Sequence, residues 1–173
     1  MPAEKISLDK AKHDKLFYLV ANVVIYREED SRCLILKRHE REKVHPNKFC
    51  VPGGKLEWCN LPIGGHSRLN GEVLDYENAV EELLVRESLE EAGVELNLSK
   101  GLKYLNSVAF IRPDGIPVVL VKFAAKYKDG SVVLEEGAFT DHAWVNEHDV
   151  DKFDCIDGIS NEVKETIRLF KKN

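Results

Sequence analysis

Glu87, Glu90 and Glu91 fall together in the stretch VRESLEEAGV, Val85–Val94. Their i, i+3, i+4 spacing places them within about a quarter of a helix's circumference. Such a grouping opposes helix formation. Glu87 and Glu91 repel each other by ~0.2–0.5 kcal/mol. The negative end of the helix dipole disfavours each acid by roughly 0.3–1 kcal/mol. Arg86 is the only base between Asn78 and Ala92, and one cation cannot neutralise three anions. A solvated acidic face is the ordinary account. A divalent cation among the carboxylates accounts for more, because Mg²⁺ prefers carboxylate oxygens, keeps several waters and bridges to substrate phosphate.

The pattern around the acids predicts a helix from about Asn78 to Ala92, with Asn78 as its N-cap and Gly93 at its end. On this helix Val85, Leu89 and Ala92 lie opposite the glutamates and form the expected core stripe. Val80, Leu83 and Leu84 make a second apolar strip on the glutamate side. Strands are expected at Leu16–Tyr26, Arg32–Arg38, Phe49–Val51, Lys103–Phe110, Val118–Lys126, Ser131–Leu134 and His142–Val145. Residues 58–77 hold three glycines and little periodicity, and read as a long loop with a small hairpin. Ile159, Val163, Ile167 and Phe170 mark one stripe of a closing helix, Ile159–Lys171. Strands dominate and two helices flank them, which predicts an α/β (α+β) protein with a mixed central sheet between helices.

A chain of 173 residues builds one core more readily than two, so residues 1–173 are expected to form a single domain. The net charge of −5 argues against a general affinity for duplex DNA or an anionic membrane. The first residues are polar and lack the apolar segment of a signal peptide, and no apolar run is long enough to span a bilayer. A cytoplasmic location is expected. The four cysteines form no CxxC pair and read as free thiols.

The sequence from Arg86 to Val94, REx₂EExG followed by an apolar residue, resembles the second half of the Nudix box. Upstream, Val51-Pro52-Gly53-Gly54-Lys55-Leu56-Glu57 is similar to the PGGKxE segment that precedes it. The chain departs from the family pattern in three ways. Gly54 lies 18 residues too far before Arg86, and the excess is the loop at 58–77. Asn78 stands where the family has an early glutamate. Ser88 replaces an apolar residue.

The resemblance implies a Nudix-type α/β/α sandwich and a hydrolase that cleaves a diphosphate linked to another moiety. It further implies that Glu87, Glu90 and Glu91 bind Mg²⁺ (or Mn²⁺) together with a backbone carbonyl at Gly53 or Gly54. Arg86 would orient a glutamate. The proton acceptor is sought in the helix, at Glu90, or in the later segment LEEGAFTDHAWV, where Glu136 is preferred over Glu135 and Asp141. Phosphate requires cations, and Arg38 and Lys55 are the candidates. Trp58 offers a face for a base to stack on. A nucleoside triphosphate pyrophosphohydrolase of the MutT type is the expected activity. ADP-ribose or nucleotide-sugar cleavage, and a non-catalytic nucleotide sensor, are the alternatives. The partner is a nucleotide, and a homodimer is left open.

Overall fold

The first two strands carry near-continuous apolar runs, broken in the first only by Asn22, because both of their faces are covered. In a computed structural model, which describes residues 1–9 and 11–172, β1 is Tyr18–Arg27 and β2 is Arg32–Arg38. Ala21, Val23, Ile25, Leu34 and Leu36 point to one side of the sheet. Val24, Tyr26, Cys33 and Ile35 point to the other. This period-2 alternation divides the core into two layers.

The other elements assemble on that pair. They are β3 (Phe49–Cys50), β4 (Gly53–Lys55), β5 (Arg68–Asn70), β6 (Val73–Asp75), α1 (Ala79–Ala92), β7 (Glu95–Asn97), β8 (Lys103–Ile111), β9 (Pro117–Asp129), β10 (Phe139–Val145) and α2 (Ile159–Lys171). Among the described residues, eight strands form a mixed sheet with the main order β10-β2-β1-β9-β7. β1 and β9 run parallel, from Tyr18 against Val118 to Tyr26 against Lys126. The β1–β2, β1–β4 and β8–β9 pairs are antiparallel. Leu83, Leu84 and Ala92 of α1 cover one face of the sheet. Ile159, Val163 and Ile167 of α2 cover the other, with Phe170 stacked on Tyr26 at 5.2 Å between ring centroids. The arrangement is the expected α/β/α sandwich. Residues 58–77 contain two single-turn helices and the β5–β6 hairpin. No helix among the described residues is long and apolar enough to cross a membrane.

Three local expectations are corrected. Val85 and Leu89 are exposed, at 39% and 55%, so they are not the core stripe of α1. The buried positions are Leu83, Leu84, Ser88 and Ala92. They flank Glu87 and Glu91, so the helix packs with its acidic side turned inward. Asn78 precedes α1 in a left-handed conformation (φ 58°) and its side chain makes no capping bond. It serves the turn that leads in from β6, since asparagine tolerates this backbone region better than most residues. The dipole at that end meets Glu81 and Glu82 in the first turn instead. Finally, residues 131–134 form no strand. The chain here is tied to the end of α1: the Val133 N–H donates to the Ala92 carbonyl at 3.0 Å, and the following Glu135 N–H to the Glu91 carbonyl at 3.1 Å. These bonds satisfy carbonyls that a helix end leaves open. Gly93 closes the same turn at φ 69°, with its N–H on the Leu89 carbonyl.

A buried ion pair lies on the α2 side. Lys122 of β9 and Glu162 of α2 are 7% and 2% exposed, and the Lys122 ammonium donates to the Glu162 carboxylate. Gly158, at φ 96°, sits against them. A Cβ there would come within 3.0 Å of Glu162 Oε1 and 3.5 Å of Lys122 Nζ.

Candidate active site

The chain delivers two glycines to the acidic side of α1. Val51-Pro52 leads into β4, which pairs with β1 so that Gly54 lies opposite Ala21 and Gly53 opposite Asn22. The Gly53 N–H donates to Glu91 Oε2 at 2.9 Å. The Glu87 carboxylate lies directly under Gly54, where a Cβ would fall 2.5 Å from Glu87 Cδ. Only glycine leaves room for the carboxylate at that point. Arg86 Nη2 donates to Glu87 Oε1 at 3.1 Å. Glu90 is exposed and has no partner among the described residues.

Glu91 is the strained member of the set. Burial pushes its carboxyl up to about 8, and the charges of Glu87 and Glu135 add to the rise. The Gly53 amide and the Arg38 guanidinium oppose it. One half-buried carboxylate, pressed by two others and held by one amide, is a hard oxygen-donor set short of positive charge. That chemistry fits a divalent cation. The side chains do not yet converge on one point: among the described residues no group of three or more His, Cys, Asp or Glu is arranged to hold a metal ion. The free Glu90 carboxylate is the member able to turn toward Glu87 and Glu91.

The other expected residues are distributed unevenly. The amide of Glu135 is tied to the Glu91 carbonyl and its charge acts on Glu91. Glu136 is exposed and makes no hydrogen bond or ion pair among the described residues. Spacing alone could not separate two adjacent glutamates; the backbone bond to the end of α1 does. Arg38 is engaged in its own loop, with Nε on the Val44 carbonyl at 2.9 Å and Nη2 on Glu42 at 2.5 Å. Lys55 is exposed and has no ion-pair partner among the described residues. Trp58 is 57% exposed and begins the first turn of the 58–77 segment. The Gly53 amide was missed from sequence, because a backbone donor leaves no residue-type signal.

The two glycines give contrasting predictions. Gly54→Ala displaces the end of a flexible side chain, so the fold should survive with little change in Tm while affinity for Mg²⁺ falls. Gly53→Ala drives a Cβ to 2.4 Å from the Ala21 carbonyl oxygen, and should lower Tm outright. Thermal melts and metal titration of both variants check the contrast.

A family model described as NUDIX domain matches residues 17–164. No curated protein matches the chain. Among solved structures, the chain is similar to the MutT protein from Methanosarcina mazei Go1, at 18% identity and a TM-score of 0.62, covering 94% of this chain and 100% of that one. It is similar to a NUDIX-family hydrolase from Clostridium perfringens, at 15% identity and 0.61, covering 88% and 97%. It is also similar to the NUDIX domain of Shewanella oneidensis NrtR in complex with ADP ribose, at 15% identity and 0.65, covering 95% and 96%.

Proposed function

The chain belongs to the Nudix family, whose hydrolases cleave nucleoside diphosphate derivatives and generally need a divalent metal ion, and from that premise we propose that it converts a nucleoside triphosphate to the monophosphate and pyrophosphate. The observation that carries the proposal is the half-buried Glu91 carboxylate, bonded to the Gly53 amide beside Glu87 under Gly54. Glu87, Glu90, Glu91 and a backbone carbonyl at Gly54 would hold Mg²⁺ or Mn²⁺. When bound, such an ion offsets phosphate charge and lowers the pKa of coordinated water.

The protein's own groups do the rest. Arg86 fixes the Glu87 carboxylate. The Gly53 amide orients Glu91. Lys55 meets a phosphate oxygen, while Arg38 acts on Glu91 and closes the loop that follows β2. Glu135 takes the proton lost by the attacking water, in preference to Glu136.

A panel of nucleoside triphosphates, ADP-ribose and nucleotide sugars, incubated with Mg²⁺ or Mn²⁺ and resolved by product mass, tests the proposal. The expected result is metal-dependent release of pyrophosphate from a triphosphate, abolished by Glu90→Gln in a protein that still folds. Glu135→Gln should slow turnover more than Glu136→Gln. The NrtR domain carries ADP ribose, which favours a second reading in which ADP-ribose is the ligand. AMP and ribose 5-phosphate as products would establish that reading, and tight binding without turnover would identify a sensor.

A further inference from the structure

If the acidic cluster holds the phosphates, another surface must hold the remainder of the substrate. A groove of about 690 Å³ begins at Lys55, the residue after Gly54. Phe17, Tyr18 and Leu19 line it from the start of β1, and Leu56 and Trp58 from the chain beyond β4. Its volume falls in the ~300–1,000 Å³ range of small-molecule sites. From Gly54 to Trp58 the chain spans at most ~13 Å, within reach of one nucleotide.

The groove's chemistry narrows the occupant. Phe17, Tyr18 and Trp58 remain 52%, 45% and 57% exposed. Single exposed aromatic residues are ordinary, but three at one concave site mark a binding surface. Aromatic faces favour a flat ring by stacking. Lys55, which has no ion-pair partner among the described residues, places a cation at the end nearest Gly54, where the phosphates would lie. The Glu57 carboxylate accepts the Asn60 backbone N–H as the cap of the turn that starts at Trp58. Most of the remaining lining is aliphatic, so the edge of a base meets few hydrogen-bonding groups.

We propose that this groove is the nucleoside subsite, and that it takes the base by stacking while discriminating little between one purine and another. The inference rests on the hydrolase reading for the position of the phosphates, but its test does not depend on turnover. Calorimetry on the full chain with Mg²⁺ measures binding of AMP, GMP and ribose 5-phosphate. AMP and GMP should bind within about threefold of each other and ribose 5-phosphate at least about tenfold more weakly, as stacking worth ~1–3 kcal/mol requires. Trp58→Ala should weaken AMP by about tenfold or more, and Trp58→Phe should recover most of that loss. With ATP as substrate, Trp58→Ala should raise KM strongly and move kcat far less. Trp58 is open to solvent, so its removal should leave the melting transition in place.

Two results overturn the proposal: AMP binding that is indifferent to Trp58→Ala, or tighter binding of a prenyl diphosphate than of AMP. Turnover with a Trp58-independent KM removes the groove and leaves the hydrolase. Trp58-dependent AMP binding without turnover of any anhydride removes the hydrolase and leaves the groove.

Discussion

Replacing Glu91 with Gln is expected to lower kcat/KM by on the order of 10³-fold and, in the same protein without metal, to raise stability above pH 8. The first effect follows from charge. Metal-borne stabilisation of a phosphoryl transition state is worth several kcal/mol, and each ~1.4 kcal/mol is a factor of ten. The second follows from the raised carboxyl. Glu91 ionises at about 8 in the folded chain, against 4.5 ordinarily. Between those values the folded state holds a proton that the unfolded state has released, so stability falls as pH rises. The contribution is complete below about 4.5 and lost above about 8. Each unit corresponds to ~1.4 kcal/mol, so the ionised carboxylate removes on the order of a few kcal/mol from the metal-free fold at high pH. Glutamine cannot ionise and should flatten that slope.

A bound cation reverses the balance, because ligation requires the carboxylate. Metal uptake near pH 7 should therefore release about one proton and tighten as pH rises toward 8. Urea denaturation in EDTA from pH 5 to 9, beside kcat/KM with Mg²⁺, reads both effects. A purely structural Glu91 predicts the opposite pairing: lower stability in the variant and unchanged turnover. A stability curve indifferent to pH over that range would dispose of the argument.

The parts of the fold that were legible in the sequence are those where residue type and period agree. β2 is legible with its observed ends because the apolar run Cys33–Leu36 is flanked by charged residues and preceded by the turn residues EEDS. α2 was read likewise, because its apolar stripe faces a sheet and the opposite side is charged. α1 misled for a physical reason. Its wheel has apolar residues on both sides, and the usual rule sends the charged side to solvent. Here Leu83 and Leu84 go inward with Glu87 and Glu91, and Val85 and Leu89 are left outside. The acidic cluster could be found from sequence because its residue types conflict with a helix end. Its surroundings could not, since they consist of backbone: the Gly53 amide, the space above Gly54 and the amide of Glu135. β4 was missed because three residues, two of them glycine, carry no strand signal. The 131–134 segment has strand composition, but its Val133 amide bonds the end of α1 instead of a neighbouring strand.

The buried Lys122–Glu162 pair supplies the other large effect. Lys122 lies beside Asn22 in the parallel β9–β1 register, and Asn22 lies opposite Gly53 across β1–β4. One row across the sheet thus links the ion pair to the strand that carries the Glu91 donor. Removing a single partner leaves a charge buried without compensation. Glu162→Leu or Lys122→Met is therefore expected to cost ~3–5 kcal/mol. The double variant Lys122→Met/Glu162→Leu should recover most of that, and should end near wild type or above it, because both ions then stay out of a medium that solvates them poorly. Glu162 Oε2 and Thr166 Oγ1 take no hydrogen bond among the described residues, which makes the pair an incompletely satisfied polar island. Such islands tend to match or fall below an apolar replacement in stability. Urea midpoints of the four proteins close the cycle. Strong non-additivity, with each single variant worse than the double, is the expected outcome. Single losses below ~1 kcal/mol, or effects that simply add, would mean that the pair is solvated and holds nothing in register.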